Sequence, residues 1–312
     1  MLYLGPEAAR AAVSAELDGN FNLVAVPSER AQVAAALPAA DAVLDASMKV
    51  TLDETLIQSA KILKLVVTAT TGADHIDQAA LAARNIPLLT LKGQREILNE
   101  LTPAAELSWL LLMACARRLR SAIKHVEAGE WDREQFPGIL LKGKTLGIIG
   151  CGRIGQWMAR YARAFGLRVV GHDPYLKDWP PTIERVALDD LLAQSNFVTI
   201  HVHLTPETRG LIGTHELALM PSGTILVNTS RGAIVEETAL LDALNSRRLG
   251  AYGADVLEGE PEIEKSRIWQ YAQTHPNCII TPHIGGFSPD AVEIVLRFSA
   301  QRIRQFFSSH GL

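Results

Sequence analysis

The sequence predicts an α/β protein of two domains, each built on a parallel sheet with helices on both faces. Three observations carry this reading. Short β-rich runs alternate with stretches whose apolar residues recur at helical spacing, which gives parallel sheets covered on two sides. At 312 residues the chain is long enough for two compact domains with separate apolar cores. Apolar residues make up 48% and charged residues 21%, the ordinary balance of a folded α/β chain.

In the first part, residues 23–26, 42–44, 63–69 and 87–90 are predicted strands. Residues 6–17, 29–37, 53–60 and 76–84 are the helices between them. Pro6 and Asp53 stand near helix starts, where a proline or an acid suits unpaired amides. A long helix follows, opening at Thr102-Pro103 and running to Leu119. Apolar residues almost encircle it, which implies burial on more than one side, in a domain core or a subunit interface. A homodimer is the expectation. Strands then resume at 145–150, 168–173, 197–203, 224–228, 251–256 and 278–281. Most open a loop at their carboxyl end, where open α/β sheets bind ligands. The last helix, 289–307, is expected to pack on the first domain, although composition alone does not show such an insertion.

Charge excludes some functions. Thirty basic and 34 acidic residues leave a formal charge of −4, with no basic block to bind nucleic acid. Met1-Leu-Tyr-Leu is too short for a signal peptide, and the most apolar window, 107–115, is too short to span a bilayer. Cys115, Cys151 and Cys278 cannot all pair and have no metal-site spacing. No metal is expected, and a reducing cytoplasm is the natural setting.

Residues 145–155 read Thr-Leu-Gly-Ile-Ile-Gly150-Cys-Gly152-Arg153-Ile154-Gly155, the G-x-G-x-x-G spacing directly after an apolar strand and before a helical run at 156–165. Glycines there permit a tight turn, close approach of backbone to a pyrophosphate, and close helix–strand contact. Amides at the helix start face the phosphates. The next strand ends in Asp173, 18 residues after Gly155, where an acid accepts hydrogen bonds from a ribose diol and repels a 2′-phosphate. NAD is therefore the expected cofactor, in preference to NADP. The competing reading, a glycine turn with a solvent-facing acid, carries less weight because the strand–loop–helix–strand–acid order is intact. Cys151 is either a redox-sensitive thiol at a helix start or simply small enough to fit, the second being favoured.

Three loops late in the chain carry the chemistry: Asn228-Thr-Ser-Arg231-Gly, Gly253-Ala-Asp255-Val-Leu-Glu-Gly-Glu260-Pro261, and Thr281-Pro-His283-Ile-Gly285-Gly286. A fixed cation can hold an anionic substrate, an imidazole can move a proton, and a carboxylate can tune that imidazole. Together with Thr71-Gly72-Ala-Asp-His-Ile-Asp77 and the glycine loop, these signatures resemble the D-isomer-specific 2-hydroxyacid dehydrogenase family, over essentially the whole chain. The resemblance implies a flavodoxin-like substrate domain from residues 1–98 and 287–312, with an inserted Rossmann NAD domain at 99–286.

By that resemblance, Arg231 holds the substrate carboxylate and helps polarise its carbonyl, with a bidentate fork that Lys lacks. His283 gives the carbonyl oxygen its proton. Glu260 pairs with His283 and favours the imidazolium that reduction requires. Thr71 and Gly72 offer amides to the substrate carboxylate. Gly150, Gly152, Arg153, Ile154, Gly155 and Asp173 bind the cofactor; Thr90, Val202, Thr229 and Gly285 line its site, and Asp255 hydrogen-bonds the nicotinamide carboxamide. His75, His172, His201 and His203 are read as structural, and His203 stands where the family commonly has proline. Glu258 and Glu262 flank Glu260 without matching the pre-proline position.

The implied reaction is NAD-dependent reduction of a small 2-oxo acid to the D-2-hydroxy acid. Phosphoglycerate dehydrogenase is a weaker alternative: Asp45 stands where a phosphate-binding cation is expected, and no regulatory domain follows. An NAD(H)-sensing, corepressor-like protein is a second alternative. A formate-oxidising enzyme usually has Gln in place of Glu260. Lys92 and Arg95, in Lys92-Gly-Gln-Arg95-Glu96, are either receptors for a second anionic group or surface charges beside Glu96 and Glu100; the second reading carries more weight.

Overall fold

The computed structural model describes residues 1–312 except Glu100 and Leu312. In chain order its strands are β1 (Leu2–Leu4), β2 (Val24–Ala25), β3 (Ala42–Asp45), β4 (Leu65–Thr68), β5 (Leu88–Leu89), β6 (Thr145–Ile149), β7 (Arg168–His172), β8 (Glu184–Arg185), β9 (Phe197–Ile200), β10 (Thr224–Asn228), β11 (Leu249–Ala254) and β12 (Cys278–Ile280). The helices of the first half are α1 (Arg10–Glu16), α2 (Arg30–Ala36), α3 (Glu54–Ser59), α4 (Gln78–Ala83), α5 (Arg95–Leu98), α6 (Pro103–Ala116) and α7 (Leu119–Glu127). Those of the second half are α8 (Arg153–Ala164), α9 (Leu188–Gln194), α10 (Thr214–Leu219), α11 (Glu237–Asn245), α12 (Arg267–Thr274) and α13 (Pro289–Ser309).

The chain divides into two compact units, Met1–Leu101 with Ser288–Leu312, and Thr102–Phe287. The first holds a parallel five-stranded sheet in the order β2-β1-β3-β4-β5. That is the flavodoxin-like order, whose ligand crevice opens at the carboxyl ends of the strands. Alternation along each strand sends side chains to opposite faces. Leu2, Leu4, Val43 and Val66 pack with α3 and α4 residues such as Ile57 and Leu81. Tyr3, Leu44, Leu65 and Val67 pack on the other face with Val13 of α1 and Leu296, Ala300 and Ile303 of α13.

The second unit carries a parallel seven-stranded sheet, β12-β11-β10-β9-β6-β7-β8. Its order reverses between β6 and β9, the switch point of a doubly wound nucleotide-binding sheet. One face is covered by α6 and α8 through Leu111, Leu112, Met158 and Ala162. The other is covered by α9 to α12 through Leu191, Leu217, Leu240 and Ile268.

The structure departs from the sequence reading in several places, β8 among them, which the sequence reading did not give, and three bear on the local chain path. Residues 2–4, read only as too short for a signal peptide, form β1, a buried interior strand; three residues give no periodicity to detect. The helix expected to reach Leu119 stops at Ala116, because Arg118 takes a left-handed φ of 51° and the Ala116 carbonyl accepts the Ile139 amide at 2.9 Å. Leu119 instead opens α7. The strand expected at 197–203 ends at Ile200, after which the chain turns through Val202 and His203 into a loop that Thr208 closes by donating its hydroxyl to the His203 carbonyl at 2.7 Å.

Ile303 is fully buried between α13 and the first sheet. Ile303→Ala should lower the denaturation free energy of that unit by about 2–5 kcal/mol, the usual cost of emptying such a site. Urea titration followed by far-UV circular dichroism measures it.

Candidate active site

The second sheet sets out the site as a row of strand ends. Ile149, Ile200, Asn228, Ala254 and Ile280 are successive register partners across β6, β9, β10, β11 and β12. The glycine loop, the Val202 loop, the Arg231 loop, the Glu260 loop and the His283 loop therefore leave one edge side by side.

At the glycine loop each glycine has its own reason. Gly150 has φ 90°, and a Cβ there would stand 2.4 Å from the His201 carbonyl oxygen. A Cβ on Gly155 would come 2.2 Å from the Gly150 oxygen, so this glycine lets α8 approach β6. A Cβ on Gly152 would meet nothing within 4 Å. The open space over Gly152, at the N-terminus of α8 with Arg153 and Ile154 in its first turn, suits a pyrophosphate. Asp173 follows β7. Its Oδ2 accepts the Cys151 amide at 3.0 Å, and its Oδ1 accepts the Tyr175 and Leu176 amides at 3.0 and 3.1 Å. A carboxylate has about four acceptor positions, so one remains for a ribose hydroxyl. The residues present fit a dinucleotide.

The Arg231 loop is built by Asn228, which is buried. Its Oδ1 accepts the Ser230 amide at 3.0 Å and its Nδ2 donates to the Arg231 carbonyl at 2.9 Å. Ser230 Oγ reaches back to the Ile200 carbonyl at 2.8 Å. A Cβ on Gly232 would lie 2.1 Å from the Glu258 nitrogen, so only glycine lets this loop sit against the Glu260 loop. Beyond that contact, His283 Nδ1 and Glu260 Oε1 are 2.6 Å apart, with side chains 28% and 29% exposed. The second Glu260 oxygen accepts the Leu257 amide at 3.2 Å, which fixes the carboxylate. Glu258 is spoken for by Arg209 at 2.8 Å, and Glu262 is exposed.

Asp255 is the buried centre of this edge. Its Oδ1 accepts Thr281 Oγ1 at 2.5 Å and the Ile284 amide at 2.9 Å; its Oδ2 accepts the Gly285 amide at 2.7 Å. Burial raises its pKa above the usual carboxylate range, and the three donors oppose that rise. A Cβ on Gly285 would come 2.9 Å from Oδ2. Thr229 Oγ1 bonds Ser108 Oγ of α6 at 2.6 Å, and Val202 stands against Gly150.

Thr71, Gly72 and Thr90 belong to the first unit. The loop after β4 is shaped by Thr70 Oγ1, which donates to the Gly72 carbonyl at 2.6 Å. Thr90 Oγ1 accepts the Lys92 amide at 3.1 Å, which serves its own loop, and its carbonyl accepts Arg302 of α13 at 2.6 Å.

Comparison with known proteins follows from this geometry. Residues 109–285 match the model of the D-isomer specific 2-hydroxyacid dehydrogenase NAD binding domain. The chain is 37% identical to D-3-phosphoglycerate dehydrogenase of Methanocaldococcus jannaschii over 84% of its own length and 49% of that protein's. It is 34% identical to hydroxypyruvate reductase of Thermotoga maritima over 86% of this chain and 84% of that one. Among solved structures, D-lactate dehydrogenase from Aquifex aeolicus complexed with NAD and lactic acid aligns with TM-score 0.86 and 25% identity, covering 99% and 95% of the two chains. The chain belongs to the D-isomer specific 2-hydroxyacid dehydrogenase family. It spans about half the length of the phosphoglycerate dehydrogenases it matches.

Within this NAD-binding domain, sequence reasoning missed what Asp255 does for the His283 loop and why Gly232 is needed. The signal for both was present: an acid and a glycine recur at fixed places in the signatures, but spacing does not reveal what they touch. Three of the other histidines are engaged in the fold. His201 Nε2 bonds Thr199 Oγ1 at 2.8 Å, and burial drives its pKa down to about 3. His172 Nδ1 meets the Val186 carbonyl at 3.2 Å, and His75 Nε2 lies 2.9 Å from buried Asp45. The redox reading of Cys151 does not survive, because the residue is fully buried and burial pushes its thiol up to about 12. Burial pushes Cys115 and Cys278 to about 12 as well. A thiol with a raised pKa stays protonated and unreactive below it. At pH 8 the native protein should therefore release no colour with a disulfide reagent, and three equivalents should react after denaturation.

Proposed function

We propose that the protein is an NAD-dependent D-2-hydroxyacid dehydrogenase acting as a reductase of small 2-oxo acids. The observation that carries this is the 2.6 Å pair of His283 and Glu260 on the edge that also presents Arg231 and the dinucleotide loop. Bound NADH supplies the hydride that C2 of the oxo acid receives. Arg231 holds the substrate carboxylate by its fork and draws charge toward the carbonyl oxygen. As the C=O π electrons move onto oxygen, His283 gives that oxygen a proton from Nε2, since Nδ1 is engaged with Glu260. Glu260 accepts the Nδ1–H of His283 and holds the ring in place throughout. The sum is oxo acid, NADH and a proton giving hydroxy acid and NAD; the D configuration follows the family.

The amides of Thr71 and Gly72 are assigned to the substrate carboxylate. Asp173 takes the adenosine ribose, Arg153 and Ile154 offer amides to the pyrophosphate, and Thr90, Val202, Thr229 and Gly285 line the cofactor. Asp255, with three of about four acceptor positions filled, keeps one for the carboxamide. Phosphoglycerate oxidation with the phosphate seated on the loop after β3 is the less favoured reading: the Ser47 and Met48 amides turn onto Asp45 and the Lys49 amide onto Ser47 Oγ, so that loop offers no backbone donor at these residues. A corepressor-like NAD(H) sensor would keep the trio but need no turnover, so steady-state reduction of glyoxylate and hydroxypyruvate with NADH separates the two.

Arg231→Lys should lower kcat/KM roughly tenfold or more, the cost of a lost charge-assisted bond. Glu260→Gln replaces the carboxylate that meets His283 Nδ1 at 2.6 Å by a neutral amide and should lower kcat/KM roughly tenfold. An unchanged kcat/KM in steady-state assays removes Glu260 from this role.

A homodimer is part of the proposal. On the second unit, Leu110 of α6, Leu119, Ile123 and Val126 of α7, and then Trp131 at 89% and Leu140 at 75% leave large apolar side chains uncovered. Such a density of exposed apolar groups marks an association surface. The three free buried cysteines suit a reducing cytoplasm, and among the described residues no helix is long and apolar enough to cross a membrane. Sedimentation velocity should give a dimer for the parent protein and a monomer for Ile123→Glu/Val126→Glu; a monomeric parent would refute the assignment.

A further inference from the structure

Two cations of the first unit take no part in the chemistry above. Lys92 and Arg95 lie on the loop from β5 into α5; both are exposed, and neither meets a carboxylate among the described residues. Their loop is nonetheless fixed. The Leu91 amide donates to the Thr70 carbonyl at 2.9 Å, the Lys92 amide to Thr90 Oγ1 at 3.1 Å, and the Gln94 amide to the Leu91 carbonyl at 3.0 Å. Because β4 and β5 pair with Val67 opposite Leu89, this loop runs beside the one carrying Thr71 and Gly72.

A third cation backs it. Arg302 of α13 donates Nη1 to the Thr90 carbonyl at 2.6 Å and lies 5.7 Å from the Phe298 ring, also without a carboxylate among the described residues. Burial lowers its pKa from the usual guanidinium range, the direction expected of a cation that lacks a counter-charge. Glu96 is the one described acid on residues 90–98. The neighbouring loop after β3 is the opposite case. Ser47 and Met48 donate their amides to Asp45 Oδ1, the Lys49 amide goes to Ser47 Oγ, and Asp45 Oδ2 faces His75.

We propose that Lys92 and Arg95 receive a second acidic group at the far end of the substrate, so that the preferred 2-oxo acid is dianionic. This rests on the reading of the protein as an oxo acid reductase. The group is a carboxylate or a phosphate; both accept from an ammonium and a guanidinium. Held by two cations beside the amides of Thr71 and Gly72, such a substrate is oriented at both ends.

The test is steady-state reduction with NADH of glyoxylate, oxaloacetate and 3-phosphohydroxypyruvate by the parent protein and by Lys92→Ala, Arg95→Ala, Arg95→Glu and Lys49→Ala. The parent should prefer one of the two dianionic acids over glyoxylate, and which one identifies the acidic group. Each alanine at 92 or 95 should raise KM for that acid about tenfold with kcat nearly unchanged. Arg95→Glu should raise it further, and glyoxylate kinetics should stay put. Lys49→Ala, a cation on the neighbouring loop, should change nothing. Equal losses on glyoxylate and the dianionic acids, a Lys49→Ala effect as large as the others, or a parent with no dianion preference overturns the inference while leaving the reductase reading intact. Absence of NADH oxidation with every acid brings down both.

Discussion

The site depends on one buried carboxylate. Asp255 leaves β11 into the interior and gathers Thr281, Ile284 and Gly285 at 2.5–2.9 Å. Without those acceptors the Ile284 and Gly285 amides would be polar groups with no partner, at a cost of about 1–3 kcal/mol each, whereas the Thr281 hydroxyl would keep only its longer bond to the Ala254 carbonyl at 3.3 Å. With them, the chain from β12 is forced into a tight turn in which His283 takes a left-handed φ of 53°. A non-glycine residue in that region stores roughly 1–3 kcal/mol of strain, which the surrounding bonds must offset. The consequence is local: from that backbone the imidazole brings Nδ1 to Glu260 at 2.6 Å, and Nε2 has no bond to another described residue. The proton delivery proposed for His283 thus depends on a hydrogen-bond hub that itself moves no proton.

The same logic links the other two loops. Parallel strands in register bring five loops to one edge, but register alone sets them only about 4.8 Å apart. Gly232 removes the last obstacle between the Arg231 and Glu260 loops, where any Cβ would overlap the Leu257–Glu258 backbone. Asn228 closes its own turn from both ends, so the guanidinium is carried on a rigid mount. Positioning of this kind fixes the groups proposed to react before substrate arrives.

How much of this could be read from the chain alone differs by feature. The Rossmann sheet and its glycine loop were legible because the fold needs specific residues at specific spacings, and Gly150 and Gly155 leave no room for a Cβ. The His283–Glu260 contact came from family resemblance; nothing in a spacing of 23 residues predicts a 2.6 Å bond. β1 escaped because its signal is only three apolar residues, although it is among the most buried strands. The break between α6 and α7 escaped because Arg118 carries no helix-breaking side chain; its left-handed φ comes from the tertiary bond between Ile139 and Ala116. The role of Asp255 toward the His283 loop is likewise tertiary. Local pattern reports periodicity and turn chemistry, whereas these features arise from what packs nearby.

A division of labour follows from where rigidity and charge lie. The residues proposed for proton and hydride chemistry stand on loops whose polar atoms are nearly all bonded inward: Asn228 and Asp255 are buried, and Glu260 is tied by Leu257. Change at any of them disturbs several bonds at once, since such a network is worth more than its separate pairs. The loops after β3 and β5 are built otherwise. Their backbone amides close local turns, while Lys49, Lys92 and Arg95 extend into solvent without tying the fold. Substitution there costs little stability, because exposed cations contribute about 0–1 kcal/mol. On the proposed reading, a fold that keeps its proton and hydride groups on one unit and its freely variable charges on the other can change the acid it accepts without loosening the groups that reduce it.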